Sequence, residues 1–118
     1  MLTGIDHVQL AMPAGGEDEA RHFYAGVLGL TEEAKPPALA ARGGCWFRTG
    51  SLRVHVGVDA DFRPARRAHP AFLVSGLAEF VRARHLAVRW DPDGWGPDRC
   101  YIDDAFGNRI ELVDDGSP

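Results

Sequence analysis

Four side chains suited to binding a metal ion occupy matching places in the two halves of the sequence. His7 and His69 lie on the first predicted strand of their halves, and His55 and Glu111 lie inside the last. Neutral imidazole and carboxylate groups bind Zn²⁺, Ni²⁺, Mn²⁺ or Fe²⁺, and three protein ligands leave coordination positions open for water and substrate. If a pseudo-twofold axis relates the halves, the four positions converge on the space between them.

Each of these residues also has an ordinary interpretation. A lone His on a strand is more often a hydrogen-bonded structural or surface residue than a ligand, and a Glu is usually solvent-exposed. The joint placement at repeat-equivalent positions favours the metal-ligand interpretation for His7, His69 and Glu111. For His55 three interpretations stay open: a fourth ligand, a donor that supports a ligand, or a residue lining the cleft.

The apolar pattern of the first half predicts the order strand, helix, strand, strand, strand. Residues 5–12 alternate, with His7 and Gln9 on the polar face of the strand. An amphipathic helix follows from Glu17 until Gly29 supplies a C-terminal stop. The three further predicted strands cover residues 30–34, 45–49 and 51–58.

The same order of elements starts again after an aperiodic connection at residues 59–67. A predicted strand at 69–74 leads into a short helix that Ser75 caps and that ends near His85. The last predicted strands cover residues 87–90, 99–103 and 109–113. We therefore expect a single α+β domain of two βαβββ modules, at residues 1–58 and 68–118.

Length, charge and cysteine content exclude several classes of function. A chain of 118 residues that is 45% hydrophobic can bury the core of one domain and little more. Its formal net charge of -4, with both signs interspersed, favours neither nucleic acid nor an anionic membrane surface as a partner. With no membrane-length apolar run or secretory leader, the protein is expected to be cytoplasmic, with Cys45 and Cys100 as free thiols.

Several stretches of the sequence together resemble a known superfamily over nearly the whole chain. The helix ending in Leu28-Gly29-Leu30 and the late stretch Phe106-Gly107-Asn108-Arg109-Ile110-Glu111 are the most specific of them. With residues 5–8 and 68–72, they resemble the glyoxalase, fosfomycin-resistance and bleomycin-resistance proteins of the vicinal oxygen chelate superfamily. The resemblance implies a glyoxalase-like fold in which the two modules form a curved eight-stranded mixed sheet.

The resemblance also implies a ligand set and an assembly. Family members bind a divalent metal through a His on the first strand, a His on the fifth and a Glu on the eighth, which correspond to His7, His69 and Glu111. The glyoxalase I branch adds a Glu on the fourth strand, and His55 stands at that position here, although a His can also act as a base. The resemblance further implies a homodimer whose metal sites combine strands of both subunits.

These residues suggest an enzyme in which the metal chelates two adjacent oxygens of a small substrate and assists lyase or isomerase chemistry. His55 and Tyr101 are candidates to move protons, and alternation places other polar or aromatic residues near the same cleft. The candidates for binding substrate are Gln9, Trp46, Arg53 and Arg109.

Some of these cleft residues have structural alternatives. Arg109 has an alternative role as the ion-pair partner of Asp103 or Asp104. Trp46, Trp90 and Trp95 either line the cleft or belong to the core.

Two other functions compete with this interpretation. One is a metal-free protein that sequesters a flat or hydrophobic ligand, as bleomycin-resistance proteins do. The other is a dioxygenase-like enzyme with Fe²⁺, for which two His and one carboxylate form the required set. Metal content separates the first alternative from an enzyme, because a sequestering protein lacks the ligand set.

Overall fold

The computed structural model describes all 118 residues, Met1–Pro118. The chain forms two compact units, Met1–Pro64 and Ala65–Pro118, and the boundary falls inside the predicted connection. Each unit holds a four-stranded sheet and its own helices in the order β, helix, β, β, β. The predicted α+β fold of two βαβββ modules is therefore confirmed, with the eight strands grouped as two four-stranded sheets.

The first unit is a mixed sheet with helical segments between its strands. Strand β1 pairs in parallel with β4, and the other neighbours are antiparallel, in the order β1-β4-β3-β2. Its elements are β1 (Val8–Met12), α1 (Glu17–Ala20) continued by a π-helical segment (Arg21–Val27), β2 (Thr31–Glu33), α2 (Pro37–Ala40), β3 (Cys45–Thr49) and β4 (Leu52–Val58).

The second unit repeats this topology. Strand β5 pairs in parallel with β8, and the sheet order is β5-β8-β7-β6. Its elements are β5 (Ala71–Val74), α3 (Leu77–Ala83), β6 (Arg89–Trp90), β7 (Arg99–Asp103) and β8 (Arg109–Asp114). None of the helices in the chain is long and apolar enough to cross a membrane.

Apolar side chains on one face of each sheet form the core, as the period-2 patterns predict. In the first unit, Val54 and Val56 are buried while Arg53 and His55 turn to the opposite face. Tyr24 of the π-helical segment is fully buried against this sheet, where its ring stacks on Phe47 at 5.4 Å. In the second unit the core-facing residues are Phe72, Leu77, Val81, Cys100, Ile102, Ile110 and Leu112.

Three local features differ from the sequence predictions. No helix was predicted between the strands at 30–34 and 45–49, but α2 lies there, and it begins with Pro37 because proline is favoured at a helix start. Ser75 does not cap α3; Gly76 is in the left-handed conformation at the N-cap, and the Leu77 N–H donates to the Asp114 carboxylate at 3.0 Å. The strand predicted from His69 begins only at Ala71, because Pro70 has no N–H to donate to a ladder.

Candidate functional site

A row of polar and aromatic side chains crosses the first sheet on the face opposite the core. The strand registers pair Gln9 with His55, His55 with Trp46, and Trp46 with Glu33, so one residue of each strand contributes to the row. His7 lies two residues before Gln9, just ahead of β1. The sheet thus brings the predicted residues His7, Gln9, Trp46 and His55 to one face.

The second sheet carries a corresponding row. Its registers pair Ala71 with Glu111, Glu111 with Tyr101, and Tyr101 with Arg89. His69 lies two residues before Ala71, as His7 lies two residues before Gln9. The registers therefore place His69 and Glu111 at the positions that His7 and His55 occupy in the first unit.

Three aromatic rings form a stack in the first unit. The His55 ring lies between Trp46, at 4.2 Å between centroids and 4° between planes, and His7, at 4.0 Å and 19°. His7 Nδ1 lies 2.9 Å from a carboxylate oxygen of Asp6, and this hydrogen bond lowers the pKa of Asp6. Nearly parallel rings direct their nitrogen lone pairs side by side, so this stacked arrangement does not aim His7 and His55 at one metal ion.

His55 is suited to accept a proton. Burial between the two rings lowers its pKa below the usual value for histidine, and the neighbouring His7 lowers it further. The imidazole is therefore neutral near pH 7, with a free lone pair. A neutral imidazole is the form that a general base requires.

A cavity of about 510 Å³ opens beside this stack within the first unit. Its two carboxylates each have a partner, since Asp6 Oδ2 lies 2.9 Å from His7 Nδ1 and Glu33 lies 3.8 Å from Arg48. Three cationic side chains also line it: Lys35, Arg42 and Arg53. No hydrogen bond or ion pair occupies the Arg42 or Arg53 guanidinium group, so the cavity offers unpaired positive charge to an anionic ligand.

His69 and Glu111 are in direct contact in the second unit. His69 Nε2 lies 2.9 Å from Glu111 Oε1, and His69 Nδ1 lies 2.8 Å from the Arg67 carbonyl oxygen. A carbonyl only accepts hydrogen bonds, so Nδ1 carries the hydrogen and the ring orientation is fixed. The other carboxylate oxygen of Glu111 accepts a 2.8 Å bond from Arg99 Nη1, in an ion pair whose side chains are 14% and 8% exposed.

The chemistry of this pair fits a divalent metal ion. Imidazole nitrogen and carboxylate oxygen are both donors for divalent metal ions, and the 2.9 Å contact brings Nε2 and Oε1 close enough for one ion to bind both. The Arg67 carbonyl oxygen meanwhile accepts the Nδ1–H of His69 and fixes the orientation of its ring. Metal-binding histidines usually donate their second ring N–H in this way. Within each unit, however, no group of three or more His, Cys, Asp or Glu side chains is gathered closely enough to hold a metal. His69 and Glu111 therefore bring two donor atoms together, and the second unit adds no third.

The remaining predicted residues of the second unit surround this pair. The Tyr101 ring is edge-on to His69 at 5.8 Å, and the Arg109 guanidinium lies over Tyr101 at 4.1 Å. Asp103 pairs with Arg66 and Arg89 at 3.0 Å each, so it is not the partner that one interpretation gave Arg109. Arg109 thus positions the Tyr101 ring through a cation–π contact.

The tryptophans have different environments. Trp46 is half-buried in the ring stack, whereas Trp90 and Trp95 are 48% and 68% exposed and do not belong to the core. The Arg99 guanidinium lies over the Trp95 ring at 4.3 Å. Trp95 therefore covers the outer side of the Arg99–Glu111 pair.

Arg99, which pairs with Glu111 at 2.8 Å, was not among the residues predicted from the sequence. A signal for it existed, because Arg99 and Tyr101 alternate with buried Cys100 and Ile102 and so share the face of β7 that meets Glu111. Asp104 was considered only as a partner of Arg109, whereas the structure buries its carboxylate in the turn that leads into β8.

Comparison with solved structures identifies close relatives of this fold. A crystal structure of a protein assigned to the glyoxalase family, from Bacillus anthracis, is 45% identical, with a TM-score of 0.92 over 97% of this chain and 96% of that one. The fosfomycin resistance protein FosX from Listeria monocytogenes shares the fold at 16% identity, with a TM-score of 0.71 over 97% and 94%. Lactoylglutathione lyase from Agrobacterium tumefaciens does so at 20% identity and a TM-score of 0.63, over 92% of each chain. No sequence model of a protein family and no curated protein sequence matches the chain.

Proposed function

The chain belongs to the glyoxalase family, and from that premise we propose that it is a divalent-metal-dependent enzyme. Its proposed reaction is a lyase or isomerase step on a small substrate with adjacent oxygen atoms. The contact between His69 Nε2 and Glu111 Oε1 at 2.9 Å supports this most directly. Two ligand bonds of about 2.1 Å that meet near a right angle at one ion separate their donor atoms by about 3 Å.

We assign His7 as the third ligand, in a cytoplasmic homodimer whose sites draw on both subunits. His7 is the repeat equivalent of His69, and its ring is free to leave the stack because only Asp6 and the face of His55 hold it. Its departure would uncover one face of His55 toward the cavity. His55 itself is assigned as a base, because its ring stays stacked on Trp46 when His7 leaves, and an imidazole accepts a proton at a nitrogen in the ring plane.

The chain's own side chains would bind and orient the substrate and move the proton. A bound divalent ion supplies Lewis acidity, which polarises the adjacent substrate oxygens. Arg53, in the cavity wall, attracts an anionic group, and Gln9 orients it through its amide. The neutral His55 imidazole accepts a proton from the substrate, and the Tyr101 hydroxyl, held by Arg109, donates one.

Metal content tests the proposal. We would purify the protein without a tag or added metal, reconstitute it with Zn²⁺, Ni²⁺, Mn²⁺ or Fe²⁺, and measure bound metal by inductively coupled plasma mass spectrometry. The wild type is expected to bind near-stoichiometric metal, and His7→Ala, His69→Ala and Glu111→Ala are each expected to lose most of it. The exposed residues His22 and Glu19 supply matched controls, His22→Ala and Glu19→Gln, which should bind as the wild type does.

A wild type that stays empty with every metal would overturn the enzyme proposal. A second candidate would then take its place, a metal-free protein that sequesters a flat ligand. The observation that favours it is the ring stack of Trp46, His55 and His7 beside a cavity of about 510 Å³, because that site needs no metal to exist. A preference for Fe²⁺ with oxygen consumption would instead indicate the dioxygenase alternative.

A further inference from the structure

The Arg99–Glu111 ion pair occupies half of the carboxylate that we assign to the metal. Arg99 Nη1 lies 2.8 Å from Glu111 Oε2, while Oε1 faces His69. Both side chains of the ion pair are largely buried, at 14% and 8% exposure. The two carboxylate oxygens therefore have different environments, since one faces a cation and the other faces the histidine.

This pair has no counterpart in the first unit. Arg99 lies two residues before Tyr101, and the matching residue two before Trp46 is Gly44, which has no side chain. The Gly44 backbone has a φ of +88°, and an added Cβ would lie 2.5 Å from the Val56 carbonyl oxygen. The repeat thus gives a guanidinium group to the unit with the carboxylate and none to the unit with His55.

We propose, on the basis of the function assigned above, that Arg99 is a positioning residue that restricts Glu111 to one-oxygen metal binding. With Oε2 held by Arg99, only Oε1 is available to an ion shared with His69. A carboxylate that binds through both oxygens would use a further coordination position. Arg99 thereby keeps a position open for a substrate that approaches with two adjacent oxygens.

The same contact weakens the affinity of the carboxylate for a cation. The guanidinium charge beside Oε2 already neutralises much of the negative charge that attracts a metal. Removing it would leave a buried carboxylate without its ion-pair partner in the metal-free protein, which is an unfavourable state. A metal ion would then replace the missing positive charge, so a neutral residue at position 99 should tighten metal binding.

The test compares the Zn²⁺ dissociation constant of the wild type with that of Arg99→Met, which keeps an unbranched stem beneath Trp95. Competition with a chromophoric chelator measures the constant, and X-ray absorption of the zinc-loaded protein measures the ligand number. We expect at least about tenfold tighter binding and one additional oxygen ligand in Arg99→Met. Arg89→Met removes a more exposed guanidinium on the same sheet, paired with Asp103, and should change neither quantity.

Unchanged or weaker Zn²⁺ binding in folded Arg99→Met would overturn the proposal. If Arg99→Met does not fold, Arg99→Gln tests the Zn²⁺ affinity alone, because glutamine removes the charge but keeps an N–H donor that can still hold Oε2. A wild type that binds no metal would refute the proposed function and this inference together. If the wild type binds metal but neither Arg99→Met nor Arg99→Gln gains Zn²⁺ affinity, the inference alone is refuted.

Discussion

Asp104 is predicted to be among the most costly single residues to remove, although it lies outside the candidate site. Its carboxylate accepts three hydrogen bonds inside the turn before β8, from Phe106 N at 2.9 Å, Asn108 N at 2.8 Å and Asn108 Nδ2 at 2.9 Å. Asp104 and Asn108 are both buried, at 6% and 0% exposure. Asn108 Oδ1 in turn accepts a bond from Ala65 N at 2.9 Å, which holds the turn against the start of the second unit.

The magnitude follows from the number and kind of these bonds. A hydrogen bond to a charged group contributes about 1.5–3 kcal/mol, and a buried donor left without a partner costs about 1–3 kcal/mol. Partial access of water to the Phe106 N–H reduces the sum, so we expect Asp104→Ala to lower the free energy of unfolding by about 3–5 kcal/mol. The whole free energy of unfolding of a domain is about 5–15 kcal/mol. The variant should therefore be only marginally folded at room temperature.

Urea denaturation followed by circular dichroism measures this loss. The control is Asp115→Ala, because Asp115 makes a similar bond to the N–H of Ser117 at 2.8 Å but in the exposed C-terminal tail. The control should lose less than about 0.5 kcal/mol. Asp104→Asn, which keeps an acceptor but turns an amide toward Asn108 Nδ2, should lie between the two. A loss below about 1 kcal/mol in Asp104→Ala would refute the reasoning that this buried turn depends on its carboxylate.

Two glycines in the first unit should differ sharply when each is replaced by alanine. Gly44→Ala should cost at least about 3 kcal/mol, because its φ of +88° is strained for alanine and the new Cβ would lie 2.5 Å from a main-chain oxygen. Gly57→Ala should cost under about 1 kcal/mol, because its Cβ would meet only the mobile Gln9 amide at 2.6 Å; equal losses in urea denaturation would contradict this contrast. Burial raises the pKa of the Cys100 thiol to about 11 from 9.0, so the unfolded chain loses this proton at lower pH than the folded chain does. Stability should therefore fall by about 3 kcal/mol as pH rises between these values, and Cys100→Ala should lack that fall; parallel pH profiles for the two proteins would show the thiol does not contribute.

The sequence was sufficient to predict the order of elements and the faces of the strands. Alternation at Val54 and Val56 placed His55 opposite the core, and the structure shows that arrangement. The repeated order also aligned His7 with His69 and His55 with Glu111, because strand registers follow from which face is buried. These predictions succeeded because they depend on local periodicity alone.

Contacts between side chains of different strands could not be predicted in the same way. The stack of His55 on Trp46 depends on the pairing register of β3 with β4, which the tight turn at Gly50 and Ser51 helps to set. The bond from Arg99 to Glu111 depends on side-chain conformations as well as on register. Likewise, the start of β5 was predicted two residues too early. The apolar pattern does not show that Pro70 has no N–H to donate to a strand ladder.

The unequal rows on the two sheets have a consequence for how this protein can change through evolution. The cavity wall and the ring stack are formed by residues of the first unit, whereas Arg99 and Glu111 pair between β7 and β8 of the second. Substitutions at Gln9, Trp46 or Arg53 can therefore accumulate under selection for a new ligand without disturbing that pair. Divergence of the halves thus separates the adaptable part of the sequence from the constrained part, and a mutant library directed at the first unit would exploit this separation.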